Sequence, residues 1–214
     1  GRGGLVVLNL ASGLARRVLD KHPSTTAKPG FVPVVESRPL RFADGKPLVG
    51  HADGIALDAA RGQLYWQSLT GYDLYRVSTR VLKDPNATPE QVAAAIEQQP
   101  VFAVDEPAHP GVVTDGMEVD ARGNVYFSAV EKNAIVLRQS SGTLVTIAQD
   151  DERLIWPDSF SWVAANTGGE AIYVATSQIG RTKWFSPDQS QPATPYRILK
   201  INLPANLARP LIVP

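Results

Sequence analysis

Three aspartates, Asp53, Asp115 and Asp158, each stand at the start of an alternating apolar stretch in a repeated pattern. Carboxylates that face one cavity repel one another unless a cation neutralises them, and oxygen ligands suit Ca²⁺ or Mg²⁺. The chain has no cysteine and only three histidines, which excludes a thiolate zinc site and a cysteine nucleophile. The pattern predicts a Ca²⁺ site at the three aspartates, with Mg²⁺ as the alternative ion. Capping of a turn by the aspartate side chain is the competing interpretation.

Other side chains near these aspartates suggest further chemistry. His51 lies two residues before Asp53, where it is a candidate general base for attack of water on a lactone or ester. Trp156 lies two residues before Asp158, and Phe160 follows, so these rings are candidates for the wall of a pocket for a planar ligand. Packing between neighbouring sheets is the alternative explanation for the aromatic residues.

The elements that must position these residues repeat along the chain. Segments 52–66, 114–127 and 156–175 each contain an Asp that begins an alternating strand, a turn with Gly, and a returning strand with Tyr. The turn of the third copy falls at 168–170. Each hairpin is followed by another apolar stretch, and three to four short strands per unit are typical of a propeller blade. Residues 5–19 resemble the outer hairpin of an earlier blade.

The fold class predicted from this repeat is all-β, a β-propeller with about three and a half to four blades and one short helix. The helix belongs to an insertion, because the first two aspartates are 62 residues apart and the next two 43, against roughly 40 to 45 per blade. A capping box at Thr88 to Gln91 begins the helix, and the Ala-rich run continues to Gln98, before Pro100. Its apolar face is expected to pack on the propeller rim.

Two connecting regions carry weaker signals. The Pro-rich stretch 23–47 is predicted to be a long excursion between strands. The turns that begin at Asp58 and Asp120 each end in Gly, and their charged side chains are expected to be solvated.

Composition narrows the classes of function. Twenty-one Lys and Arg balance 21 Asp and Glu, which argues against a nucleic-acid partner. No apolar run reaches the roughly 18 residues of a membrane span, so none is expected. The sequence starts at Gly1 without a signal peptide, which we interpret as removal of one or as a piece of a longer protein.

The ordered motifs resemble the bacterial branch of the major royal jelly and yellow protein family. The resemblance rests on Leu74 to Val77, the capped helix, Asp115-Gly116-Met117, Trp156-Pro157-Asp158 and Pro195 to Ile198, and it covers about residues 5–203. It implies a six-bladed β-propeller, distantly similar to the gluconolactonase group. Residues 1–214 would then form one propeller domain that lacks the N-terminal blades of the family. A closed four-bladed propeller is the alternative.

The same resemblance implies candidate functions. In the similar metal-dependent lactonases a matching Asp-Gly motif supplies a metal ligand, which corresponds to Asp115, and Asp53 stands where Asn is common. Ser159 replaces the usual Gly after Trp-Pro-Asp, and the Glu ligand of the first blade has no counterpart here. The expected function is divalent-metal-dependent hydrolysis of a small lactone or ester. A non-catalytic small-molecule-binding propeller and a dopachrome-type isomerase are the alternatives. The family suggests a secreted or periplasmic location.

Overall fold

The computed structural model describes residues 2–101, 111–162, 171–185 and 192–203. In chain order the strands before the first large sheet are β1 (Leu5–Leu8), β2 (Ala15–Val18), β3 (Val34–Val35) and β4 (Arg38–Pro39). The first sheet contains β5 (Ala52–Asp58), β6 (Gln63–Ser68), β7 (Leu74–Ser78) and β8 (Glu97–Gln99). The second sheet contains β9 (Thr114–Val119), β10 (Val125–Ala129), β11 (Ala134–Arg138) and β12 (Leu144–Gln149). The third contains β13 (Pro157–Trp162), β14 (Ala171–Thr176) and β15 (Ile198–Asn202).

The sheets are antiparallel meanders arranged as propeller blades. Each begins with its inner strand, and β9 contacts both β5 and β13, so the inner strands of the three sheets are neighbours. The β1–β2 hairpin packs against the first sheet, as expected for an outer hairpin. The all-β propeller prediction is confirmed. The predicted turn at 168–170 lies outside the described residues.

The prediction of one helix was wrong in number and in extent. The insertion contains α1 (Thr79–Lys83) and α2 (Pro89–Ala94), and two separate 3-10 turns lie elsewhere in the chain, at Pro23–Thr25 and Ile179–Arg181. The capping box at the start of α2 is present in full. The chain then leaves the helix because β8 pairs with β7 as a fourth strand, with Arg76 donating to the Glu97 carboxylate at 2.9 Å. Strand pairing therefore overrides the helical propensity of this run.

Apolar residues fill the spaces between successive sheets. The face of the first sheet that contains Ala56 and Tyr65 packs against the face of the second sheet that contains Met117 and Phe127. The second and third sheets meet in the same way through another cluster (Tyr126, Ile135, Leu137, Ile172 and Val174). Among the described residues no helix is long and apolar enough to cross a membrane.

The turn aspartates are not solvated, which corrects the expectation from sequence. Asp58 and Asp120 are both buried. Asp58 accepts from the Arg61 amide at 3.0 Å, and Asp120 accepts from the Arg122 and Asn124 amides at 2.8 and 3.0 Å. Burial is tolerated because these carboxylates satisfy backbone donors of the tight turn.

Candidate functional site

Each of Asp53, Asp115 and Asp158 lies at an irregularity in its strand ladder. The register of strand pairing shifts between Ala52 and Ile55 in β5 and between Pro157 and Phe160 in β13. In β9 the residues 115–116 lie opposite a register shift in β10. In the second sheet the Ser128 hydroxyl accepts from the Gly116 amide at 2.7 Å and so satisfies a donor that the interrupted ladder leaves free. Bulges of this kind change the direction of a side chain. All three aspartates therefore leave the regular alternation at equivalent places.

Gly54 and Gly116, which follow two of the aspartates, let the next inner strand approach closely. A Cβ placed on Gly116 would lie 1.9 Å from the Asp158 carbonyl oxygen, and one on Gly54 would lie 2.9 Å from the Asp115 carbonyl oxygen. A side chain at Gly116 is incompatible with that backbone contact, whereas the neighbours of Gly54 include the flexible Met117 side chain. The Asp-Gly dipeptide thus sets the separation of inner strands. In the third sheet Ser159 takes the place of the glycine.

Asp115 has the most defined environment of the three. The Trp156 indole nitrogen donates to Asp115 Oδ2 at 2.7 Å. The pKa of Asp115 is raised to about 6, mainly by burial and also by the charges of Asp158 and Asp53, against the lowering effect of the Trp156 hydrogen bond. Trp156 has a φ of 49° and its amide donates to Asn133 Oδ1 at 3.3 Å. A bulky residue in the left-handed region is strained, so surrounding contacts must hold this indole in place.

The other two carboxyls are electrostatically linked to Asp115. Partial desolvation raises the pKa of Asp53, and the charge of Asp158 raises it further. Burial raises the pKa of Asp158 as well. Within the described part of the chain, no basic side chain is among the groups that shift the pKa of these three carboxyls. Among the described residues, no basic side chain therefore compensates the negative charge at the inner strand starts.

The donor set fits a hard divalent cation in its chemistry, because it consists of carboxylate oxygens with raised pKa values. The described residues do not, however, contain three or more His, Asp or Glu side chains close enough together to hold a metal ion. A cation here would use at most two of these side chains directly, with backbone oxygens or water completing its shell. Asp115 has the best fixed side chain of the three, and the ligand roles of Asp115, Asp53 and Asp158 all stay predictions.

His51 is engaged in a structural contact. Its Nδ1 accepts from the Ala27 amide at 3.0 Å, and the side chain is half-buried. An accepting Nδ1 leaves the proton of the neutral ring on Nε2, so the ring has no free basic nitrogen in this state. The role of His51 as a general base stays a prediction that requires release of the Ala27 amide.

Trp156 and Phe160, the two rings predicted to line an aromatic pocket, lie in different environments. Trp156 is 1% exposed and packs with Val35, Leu69 and Val130, and its indole nitrogen contacts Asp115. Phe160 is half-buried against the interface between the second and third sheets. Their contacts resemble those of interior packing residues, and a ligand-binding role for either ring stays a prediction.

A segment that the sequence did not mark as functional covers this end of the sheets. We call residues 23–48 the strap. It joins the first sheet through the Lys28 amide and the Thr70 oxygen at 2.9 Å, and the second sheet through the Val34 amide and Glu131 Oε1 at 2.7 Å. Arg181 Nε donates to Glu36 at 3.0 Å on the third sheet's side. Sequence showed only a Pro-rich excursion, since its partners are as many as 145 residues away along the chain.

Comparison with solved structures finds β-rich enzymes and binding proteins of low identity. A gluconolactonase from Xanthomonas campestris matches with 18% identity and a TM-score of 0.47, over 86% of this chain and 59% of that chain. A luciferin-regenerating enzyme matches with 13% identity and a TM-score of 0.47, over 98% of this chain and 73% of the other. The calcium-binding protein regucalcin from Agrobacterium tumefaciens matches with 13% identity and a TM-score of 0.45, over 97% and 73%.

The chain therefore spans a little over half the length of the gluconolactonase that it matches. A search of curated proteins finds no significant match. The family model described as major royal jelly protein matches residues 1–208, which is nearly the whole chain. On that match, and with the blade-like sheets and repeated Asp-Gly motifs that the structure contains, the chain belongs to the major royal jelly protein family.

Proposed function

We propose that the chain is a divalent-cation-dependent hydrolase of small lactones or esters, with its site at Asp53, Asp115 and Asp158. One observation carries the proposal: three carboxyls at equivalent bulges have raised pKa values, and two of them are raised by the charge of another. Uncompensated negative charge of this kind is stabilised by a cation. Ca²⁺ is the expected ion, and Mg²⁺ is the alternative.

The chain's own residues would divide the work. A bound cation would supply polarisation of the substrate carbonyl. Asp115 would hold the cation, since Trp156 fixes the orientation of the Asp115 side chain and its carboxyl is mostly ionised above pH 6. Asp53 is exposed, so it would contact both the ion's water shell and an incoming substrate. Buried Trp156 would fix Asp115 without touching the substrate.

The test is hydrolysis of a panel of small lactones and nitrophenyl esters, first in chelator and then with added Ca²⁺ or Mg²⁺. We expect activity that appears with the cation and falls at least 100-fold in Asp115→Asn, because a carboxylate ligand is lost. Asp44→Asn is the matched control, since Asp44 lies in an exposed turn and pairs with Lys46. A rate of hydrolysis that is the same in chelator as with added cation, or the same in Asp115→Asn as in the wild type, would contradict the proposal.

A non-catalytic small-molecule-binding propeller is the second candidate. It is favoured by the Trp156 hydrogen bond, which occupies Asp115 Oδ2, and by the lack of a three-residue metal cluster among the described side chains. This candidate predicts that small ligands raise the melting temperature in chelator, through mass action on the folded state. A rise that needs Ca²⁺ would favour the hydrolase instead.

A further inference from the structure

A cleft of about 660 Å³ lies on the outer rim, and its lining includes none of Asp53, Asp115 and Asp158. One wall is the run from Arg16 to Pro23, which includes the end of β2, and the other is formed by residues of the insertion at 87–93. The volume falls within the roughly 300 to 1,000 Å³ of small-molecule sites. The cleft is therefore large enough for a ligand of its own.

The floor of the cleft is apolar. Val18, Leu19 and Val92 are buried lining residues that belong to one hydrophobic cluster. Pro89 and Ala93 extend the apolar wall along α2. Val18, Leu19 and Val92 are already almost out of water, so a ligand in this cleft would gain binding free energy mainly by covering the exposed Pro89 and the half-buried Ala93.

The two walls are held together by the protein, so the cleft is a built feature. The Arg16 guanidinium donates to the carbonyl oxygens of Leu82 at 2.6 Å and of Val81 and Ala87 at 3.3 Å each. These bonds tie the strand to the insertion. On the opposite side Leu19 has a φ of 54° and is held by the Thr25 hydroxyl, which donates to its carbonyl oxygen at 2.8 Å. Strained conformations persist only where the surroundings enforce them.

Charges around the rim are satisfied except at one position. Arg17 Nε donates to Asp20 at 2.5 Å, and hydrogen bonds from its own backbone and from Thr88 hold the pKa of Glu90 below its usual value. The backbone amide of Lys21, at a φ of 57°, donates to the Gly3 oxygen at 2.9 Å, whereas its exposed ammonium group has no hydrogen-bond or ion-pair partner within the described residues. The lining therefore offers one uncommitted cation beside an apolar floor.

We propose that this rim cleft binds a small amphipathic organic anion, a carboxylate or sulfonate on an apolar or aromatic body. The apolar body lies against Pro89 and Ala93, and the anionic group pairs with Lys21. An exposed ion pair contributes modestly, so the apolar body provides most of the affinity and Lys21 provides the preference for negative charge.

The test uses two fluorescent probes of similar shape, the anionic 8-anilinonaphthalene-1-sulfonate and the neutral N-phenyl-1-naphthylamine. We expect saturable binding of the anionic probe at one site. Lys21→Glu should weaken it at least fivefold and leave the neutral probe unchanged, whereas Lys46→Glu, at an exposed lysine remote from the cleft lining, should change neither.

Ala93→Trp should fill the cleft and weaken both probes, with melting curves confirming that each variant is folded. Equal affinity of the anionic probe for the wild type and for Lys21→Glu would overturn the assignment of the anion to this cleft. Ca²⁺ should leave probe binding unchanged, so this result is independent of the hydrolase test.

Discussion

The second sheet and the first sheet carry the same Asp-Gly motif in different surroundings. In the second, Met117 and Val119 follow the motif and are each 6% exposed, because the first sheet covers them. In the first, the equivalent Ile55 and Leu57 are 51% and 54% exposed. The β1–β2 hairpin covers the outer part of that face, including Trp66, and leaves the inner strand open. The motif sets the position of the aspartate, and the neighbouring sheet sets how deeply the residues after it are buried.

The largest expected effect is at the glycines. Gly116→Ala should destabilise the fold by about 4 kcal/mol or more, because the new Cβ would overlap the Asp158 carbonyl oxygen. Gly54→Ala should cost less, about 1 to 3 kcal/mol, because its Cβ would lie 2.9 Å from the Asp115 carbonyl oxygen, a smaller backbone overlap, and its other contact is the flexible Met117 side chain. Chemical denaturation of both variants gives the comparison. Equal losses would show that the two inner-strand contacts are alike.

A smaller difference is expected for the apolar residues that follow. Met117→Ala should lower the free energy of unfolding by about 2 to 3 kcal/mol, because it opens a cavity between two sheets. Ile55→Ala should change it by less than about 1 kcal/mol, since half of that side chain is already in water. Urea unfolding measures both. A loss at Ile55 as large as at Met117 would mean that the open face is covered in solution.

The contributions of Asp115 and Asp53 to folding stability should depend differently on pH. The pKa of Asp115 is raised from 3.8 to about 6 in the folded state, so the folded protein binds this proton more tightly than the unfolded chain. Its contribution therefore favours folding at low pH and is lost as the pH rises from about 4 through 6. A shift of about two units corresponds to about 3 kcal/mol, which partial exposure of the side chain reduces to about 1 to 2 kcal/mol.

Asp115→Asn should accordingly stabilise the cation-free protein at pH 8 by that amount and have little effect at pH 4. Asp53→Asn should give a smaller gain, because its side chain is exposed. Thermal melts in chelator at both pH values provide the measurement. A stabilisation by Asp115→Asn that is the same at pH 4 and pH 8 would rule out titration of this carboxyl as the cause.

The smallest effect concerns the Trp156 hydrogen bond. Trp156→Phe removes the donor that lowers the pKa of Asp115, so that pKa should rise above about 6 while the pKa of Asp53 stays constant. Carbon-detected NMR titration of the aspartate carboxyls separates the two groups. An unchanged Asp115 pKa would show that the indole does not act on it.

Much of this arrangement was predictable from the sequence. The three aspartates, the hairpins and the capping box depend on local patterns, and these predictions of strands and helix start are confirmed. The contacts that sequence missed are distant ones. Trp156 reaches Asp115 across 41 residues, and β8 replaces the end of the predicted helix because β7 offers it a pairing edge.

Burial of the turn aspartates was missed for a different reason. Asp58 and Asp120 occupy turns that ordinarily lie in water, and the sequence does not show that their carboxylates satisfy backbone amides inside the turn. A signal was present, since Asp followed closely by Gly is typical of such turns. The strap could not be predicted from the sequence, because its contacts are with three sheets that only the folded chain brings together.

The central claim is that the carboxyls at the inner strand starts bind a divalent cation, and calorimetric titration of the chelator-treated chain with CaCl₂ at pH 7.5 tests it most directly. The account predicts saturable binding that weakens as the pH falls through 6, is lost in Asp115→Asn and persists in Asp44→Asn. Absence of binding up to about 10 mM Ca²⁺, a weak limit for protein calcium sites, or equal binding by Asp115→Asn, would contradict it.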